Sequence, residues 1–334
     1  MKFLRLLIPA VAMAVLILDS QTALAGAQSG LELCIRSVIP SLFPFLFLSI
    51  MLTGAGAASL SSFLRPLGRL CRIPEGAESI LAVGLIGGYP IGAQCVAQAY
   101  GEGRLDRVTA YRMLGFCSNA GPSFIFGFLS ICFVPKTLWL LWAIHILSAI
   151  LTGILLPGGC RDRISVGTSA SVSTVSALEQ SVRTMALICG WVIVFRILLA
   201  FLRRWILWIL PQWTDILISG ALELTNGCSQ LSILESEGSR FIPASGMLAW
   251  GGVCVWLQTA SVTKNLGTGS YLPGKTVQTA ISLILSSILQ PLIYPMQHRF
   301  HDVFPITAAA ALVAGIMIFC FYKKHSSFLQ QQGV

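Results

Sequence analysis

Uncharged apolar stretches long enough to cross a bilayer recur along this whole chain, and they leave few folds open to it. About 30 Å of hydrocarbon takes roughly 20 apolar helical residues, and every backbone N–H and C=O inside it must be satisfied internally. No stretch alternates as a barrel strand does, so the expected fold is an all-α polytopic integral membrane protein. Its natural partner is the lipid bilayer. Composition agrees: 55% of the 334 residues are apolar and only 10% are charged, where a solvated domain carries about 25% charge. The net charge of +9 would point to nucleic acid in a soluble chain. In a membrane chain basic residues report orientation, and no nucleic-acid partner is expected.

The chain divides into an N-terminal transmembrane helix (1–28), a first repeat (29–159), a polar linker (160–176), a second, inverted repeat (177–297) and a C-terminal helix with its tail (298–334). Lys2 and Arg5 precede the apolar run 6–18, and Ala23-Leu24-Ala25 fits a signal-peptidase site. With many spans following, an uncleaved anchor is the preferred reading over a cleaved leader. Helices are expected at 4–24 and 34–57, then a basic amphipathic piece at 60–73. Two broken apolar segments (78–100 and 110–134) and a continuous helix (137–156) complete the first half. The second half repeats the order: a helix (180–202), a Trp-rich piece (203–213), broken segments (214–236 and 243–264) and a continuous helix (275–294). A last helix is expected at 303–322. Separations of 138, 133 and 138 residues relate Gly88 to Asn226, Asn119 to Gly252 and Pro157 to Pro295.

Charge gives an independent reading of orientation. If the first broken segment of each half is a re-entrant hairpin, 15 of the 22 basic residues face the cytoplasm and 6 face outside, with Arg196 inside a span. Arg112 and Lys275 fall in the cytoplasmic group and Arg36 in the outer one. Both termini are then cytoplasmic, and the halves have opposite orientation, the inverted-repeat plan of many secondary transporters.

The broken segments are where chemistry is expected. An interrupted membrane helix leaves backbone groups unpaired, which is costly unless they face a polar cavity or a ligand. Half-helix N-termini attract anions, and unwound carbonyls hold cations. Gly87, Gly88, Tyr89, Pro90, Gly92 and Gln94 mark one break. Ser118, Asn119, Gly121, Pro122 and Ser123 mark a second. Glu223, Thr225, Asn226 and Gly227 mark a third, and Gly251, Gly252 and Gln258 a fourth. The competing explanation is plain small-residue packing between helices. Four breaks, each with an amide or carboxyl nearby, favour a binding site for a small-molecule solute.

Glu223 stands in an apolar segment, where a carboxylate is expensive and by default functional, for example as a coupling group for H+ or Na+. Its structural alternative is as a partner for a helix end or for Arg196. On the charge reading alone, Glu223→Gln would leave folding within about 1 kcal/mol of wild type. Arg196 itself either snorkels outward or contacts an anion. His145 reads as core packing with a local hydrogen bond.

Several chemistries are excluded. Residues 269–276 match the nucleotide-binding pattern G-x-x-x-x-G-K-[ST], but the required preceding strand is replaced by a membrane segment. ATP binding is rejected, and Lys275 reads as a cytoplasmic anchor. There is no H-E-x-x-H or G-x-S-x-G, so no enzyme is expected. The ten scattered cysteines contain no C-x-x-C and read as apolar filler; no metal or cofactor is expected.

The segment Gly87-Gly88-Tyr89-Pro90-Ile91-Gly92-Ala93, followed by Gly115-Phe116-Cys117-Ser118-Asn119-Ala120-Gly121-Pro122-Ser123-Phe124-Ile125, resembles the YlbJ-type sporulation integral membrane proteins. These carry a nucleoside-recognition, or Gate, domain related in architecture to concentrative nucleoside transporters. Leu222-Glu223-Leu224-Thr225-Asn226-Gly227 and Gly251-Gly252 with Gln258 are similar to that family's second half. The resemblance covers roughly residues 30–295. It implies a permease-like role in endospore formation, in the mother-cell-derived membrane around the forespore, with dipicolinic acid as candidate substrate. The competing class is a non-transporting scaffold or assembly factor for the spore envelope. Either form is compatible with a homo-oligomer.

Overall fold

The computed structural model describes residues 2–158 and 173–295. Among them every regular element is helical: α1 (Lys2–Leu18), α2 (Ser20–Leu33), α3 (Ile39–Leu70), α4 (Glu78–Ile86), α5 (Ile91–Gly101), α6 (Arg107–Leu114) and α7 (Pro135–Leu155) precede the linker. After it come α8 (Thr174–Trp205), α9 (Gln212–Leu222), α10 (Leu224–Ser229), α11 (Glu237–Trp250), α12 (Gly252–Val262) and α13 (Tyr271–Ile293). Among the described residues, five stretches are long and apolar enough to cross a membrane: Ser20–Leu48, α7, α8, Glu237–Val262 and α13. The expected helix at 303–322 and most of the linker lie outside the described residues.

The molecule is built outside-in relative to a soluble protein. Large apolar side chains such as Leu147, Val194 and Leu292 are exposed, as are Trp139, Trp208 and Trp213, whereas Ser148, Thr152, Ser181, Ser282 and Ser286 are fully buried. Lipid is as apolar as leucine, so close packing and hydrogen bonds hold such helices together in place of the hydrophobic effect. The α11–α13 seam illustrates this: Ser245 Oγ and Ser282 Oγ lie 2.7 Å apart, and Ser282 Oγ also donates to Ser245 O at 3.0 Å.

Two hairpins have no room at their crossings. In the α4–α5 hairpin, a methyl group on Gly84 or Gly92 would sit 1.7 or 1.8 Å from the Cys117 carbonyl oxygen. In the α9–α10 hairpin, a methyl on Gly227 would sit 2.2 Å from Gly220 Cα, and one on Gly220 2.5 Å from Met247 Cε. Glycine is required here because another backbone or side chain already occupies the space.

The first half departs from expectation in one respect. Residues 25–33, expected as the outer connection between two helices, are helical, and the chain runs from Ser20 through a π-helical turn at Cys34–Val38 into α3 as far as Leu70. The break comes earlier, at Asp19, whose carboxylate caps α2 by accepting from Thr22 N at 3.3 Å. The polar stretch is a packing seam: methyl groups on Gly26 and Gly30 would meet Ile197 Cα at 2.9 Å and Ile193 Cα at 3.0 Å on antiparallel α8. Arg36, assigned to an outer loop, therefore sits inside this helix, paired with Glu32 one turn away at 3.1 Å. The expected separate piece at 60–73 is likewise the end of α3.

Candidate functional site

The four breaks fall at 87–90, 115–122, 223 and 251, each between two helical pieces, and they meet one another. Gly88 takes a left-handed backbone (φ 81°) and lies against Gly121, whose Cβ position is 2.9 Å from Gly88 N. Tyr89 reaches the other half, its hydroxyl donating to Leu248 O at 3.1 Å and its ring covering Gly251. Gly251 and Gly252 both have positive φ (76° and 92°), the turn that ends α11 and starts α12. Gly252 in turn packs on Leu222 and Glu223, and Trp250 Nε1 donates to Ala221 O at 3.0 Å.

Between these pieces lies a cavity of ≈ 50 Å³, lined by Gly88, Tyr89, Gly121, Ser123, Glu223, Thr225 and Gln258 and by apolar side chains that include Leu46, Phe124 and Val192. Since one water needs about 10–15 Å³ by the same measure, there is space for a few waters or one ion. Pockets for drug-sized ligands measure about 300–1,000 Å³, so this space is too small for a solute of that size.

Of the expected site residues, seven line this cavity and six do not. Pro90 forms the N-cap position of α5 and Gln94 lies in its first turns. Ser118, Asn119 and Pro122 belong to the second break but turn away from the space. Asn226 stands in α10, where its side chain accepts from Arg196 at 2.5 Å. The third break is consequently narrower than expected. It is Glu223 alone, while Thr225, Asn226 and Gly227 are helical.

Glu223 is buried and has a definite structural task. Its two carboxylate oxygens accept from Thr225 N at 2.9 Å and Asn226 N at 2.6 Å, capping α10. A charge at a helix N-terminus also complements the helix dipole. Arg196 does not snorkel into lipid. It donates to Ser29 Oγ at 3.1 Å and to the side chain of Asn226, the residue whose backbone N–H the Glu223 carboxylate accepts. His145 is buried as expected, but its bond is not local: Nε2 accepts from Ala120 N, in the second break, at 3.1 Å.

No protein-family model matches the chain, and no solved structure does. It is similar to the sporulation integral membrane protein YlbJ of Bacillus subtilis (strain 168), with 26% identity over 298 residues covering 75% of this chain and 72% of that protein. Over three quarters of its length the chain resembles a YlbJ-type protein.

The residue of this YlbJ-like chain that sequence reasoning misplaced most is Lys275. It is fully buried in α13 and is no cytoplasmic anchor. Its Nζ donates to Gln278 Oε1 at 2.7 Å and to Asn119 Oδ1 at 3.2 Å, and lies 5.0 Å from the centre of the Tyr89 ring. Gln278 Nε2 also donates to Asn119 Oδ1, at 2.9 Å. Arg112, counted as a free loop charge, is also buried. Its guanidinium donates to the carbonyls of Leu156 (3.3 Å), Arg72 (3.4 Å) and Gly153, tying α6 to the ends of α3 and α7. The available signal for Lys275 was a basic residue one turn inside an apolar helix with Gln278 a turn further on; the sequence around Arg112 carries no such signal.

Proposed function

We propose that this protein is a membrane permease for a small polar or anionic solute, acting in endospore formation. The observation that carries the reading is the convergence of four broken helices on one small, partly polar cavity. Broken helices at membrane depth are tolerated where they line such a space, and transporters build solute and ion sites from them. The sporulation setting rests on the resemblance to YlbJ. A dipicolinate-type substrate and the membrane around the forespore follow from the same resemblance as expectations for this chain. Glu223, facing the cavity, is the proposed site for a coupling H+ or Na+.

An inverted repeat is part of the proposal. The α4–α5 and α9–α10 hairpins each cross on a glycine pair, Gly84 with Gly92 and Gly220 with Gly227, and each is followed by a broken segment and then a long helix, α7 or α13. In this reading the 101–106 loop and the 71–77 turn share the cytoplasmic side with both termini. Single cysteines placed there, in a variant without other exposed cysteines, should react with an impermeant maleimide only from the cytoplasmic side. Labelling of either from outside would overturn the re-entrant hairpin and the inverted repeat with it.

The scaffold reading is favoured by one observation, the use of Glu223 as a helix cap. The deciding experiment is uptake into proteoliposomes, with and without imposed H+ or Na+ gradients, of dipicolinate, other small carboxylates and nucleosides. Saturable uptake of at least one solute, absent from empty liposomes, is expected. Uptake of none of them by folded, correctly inserted protein would leave the scaffold.

A further inference from the structure

Lys275 raises a question that the cavity alone does not answer. An ammonium taken wholly out of water costs several kcal/mol unless an anion compensates it. No carboxylate among the described residues pairs with it. Two amide oxygens and the faces of Tyr89 and Tyr271, at 5.0 and 5.9 Å, supply its surroundings. An aromatic face attracts a cation but does not neutralise it.

Two more buried groups beside residues 118–120 have a polar atom without a hydrogen-bond partner. His145 Nε2 accepts from Ala120 N, so in the neutral ring the proton sits on Nδ1, and that donor is buried with no acceptor. The Ser118 hydroxyl, next to the asparagine that holds the lysine, is also buried and unpartnered. Asn119 holds the lysine, Ala120 bonds His145 and Ser118 precedes both, so all three donors are tied to the turn 118–120, and donors of this kind are complementary to a carboxylate. Tyr89 stands between this cluster and the cavity, since its side chain lines the cavity while its ring covers Nζ. One hydrogen bond, from the hydroxyl to Leu248 O, fixes the phenol.

We infer that Lys275, with His145 and Ser118, forms an occluded anion subsite behind the Tyr89 ring, and that it takes a carboxylate group of the solute when the ring swings aside. This rests on the permease reading for its occupant, but its geometry is testable without transport. Full-length protein in nanodiscs is treated with formaldehyde and a borane, and lysine methylation is read by peptide mass spectrometry, with the exposed Lys136 and Lys264 as internal standards. In wild type, Lys275 should methylate far more slowly than the standards. In Tyr89→Ala it should approach their rate, and dipicolinate, but not its uncharged dimethyl ester, should slow it again several-fold. If Tyr89→Ala is not monodisperse, Tyr89→Phe, which loses only the bond to Leu248, should still raise the rate several-fold. Lys275 remaining unmodified in a folded Tyr89 variant overturns the gate, and modification that dipicolinate and other small dicarboxylates all fail to slow overturns the anion subsite. Uptake by wild type that Lys275→Gln leaves unchanged overturns the subsite while leaving the permease reading intact, whereas protection of Lys275 without any uptake would count against the permease alone.

Discussion

Glu223→Gln is expected to lower the stability of the folded protein by about 1–3 kcal/mol and to abolish uptake. The stability loss follows from geometry: each carboxylate oxygen accepts one backbone N–H, from Thr225 and Asn226. Glutamine offers one acceptor and one NH2, so one buried N–H loses its partner, a loss of that size. The uptake loss follows from charge, since Glu223 is the carboxylate among the residues that line the cavity. The two effects are measured separately, stability by detergent melting and uptake per folded molecule in proteoliposomes. A variant that melts lower but transports at the wild-type rate would reduce Glu223 to a cap. A variant that transports nothing yet melts as wild type does would show the cap to be dispensable.

Gly84→Ala is expected to be the more severe change. The added carbon would have to share space with the Cys117 carbonyl, backbone that cannot rotate aside, and Gly92 Cα lies 3.3 Å away on the other side. Overpacking a tight core costs about 1–3 kcal/mol when side chains can adjust, and here they cannot, so about 3 kcal/mol or more is expected. Gly190→Ala, on α8 where a Cβ meets nothing within 4 Å, should leave stability unchanged or raise it slightly, as alanine prefers the helix. Size-exclusion profiles and melting of the two variants side by side test this. Equal behaviour would mean that the hairpin crossing tolerates separation.

The four breaks were legible because glycines grouped with an amide or a carboxyl are out of place in apolar helices, and the reason is local. All four are helix interruptions in the structure. What was not legible depends on partners distant in sequence. The stretch 25–33 reads as a polar connection, yet Gly26 and Gly30 are small because Ile197 and Ile193 on α8 press against them. Lys275 follows a polar turn at the start of a span, where a basic residue normally reaches for headgroups. Only the fold reveals that Asn119, 156 residues away, is its acceptor. Glu223 was recognised as a buried carboxylate, but its bonds to two N–H groups need the chain to turn at that residue, which no neighbouring residue type announces. The stability cost expected of Glu223→Gln rises accordingly above the near-neutral value that charge alone suggested.

The glycine crossings of the two hairpins carry a mechanical consequence. With backbone touching backbone at Gly84, Gly92 and Cys117, and again at Gly220 and Gly227, neither hairpin has slack in which its arms could scissor. Each must travel as a stiff lever, and compliance is left to the tips, where one half leans on the other. There the restraints include single hydrogen bonds without a formal ion pair, from Tyr89 to Leu248 and from Lys275 to Asn119. Such bonds yield at about 1 kcal/mol each, or somewhat more where a charge is involved, so thermal motion can open and remake them.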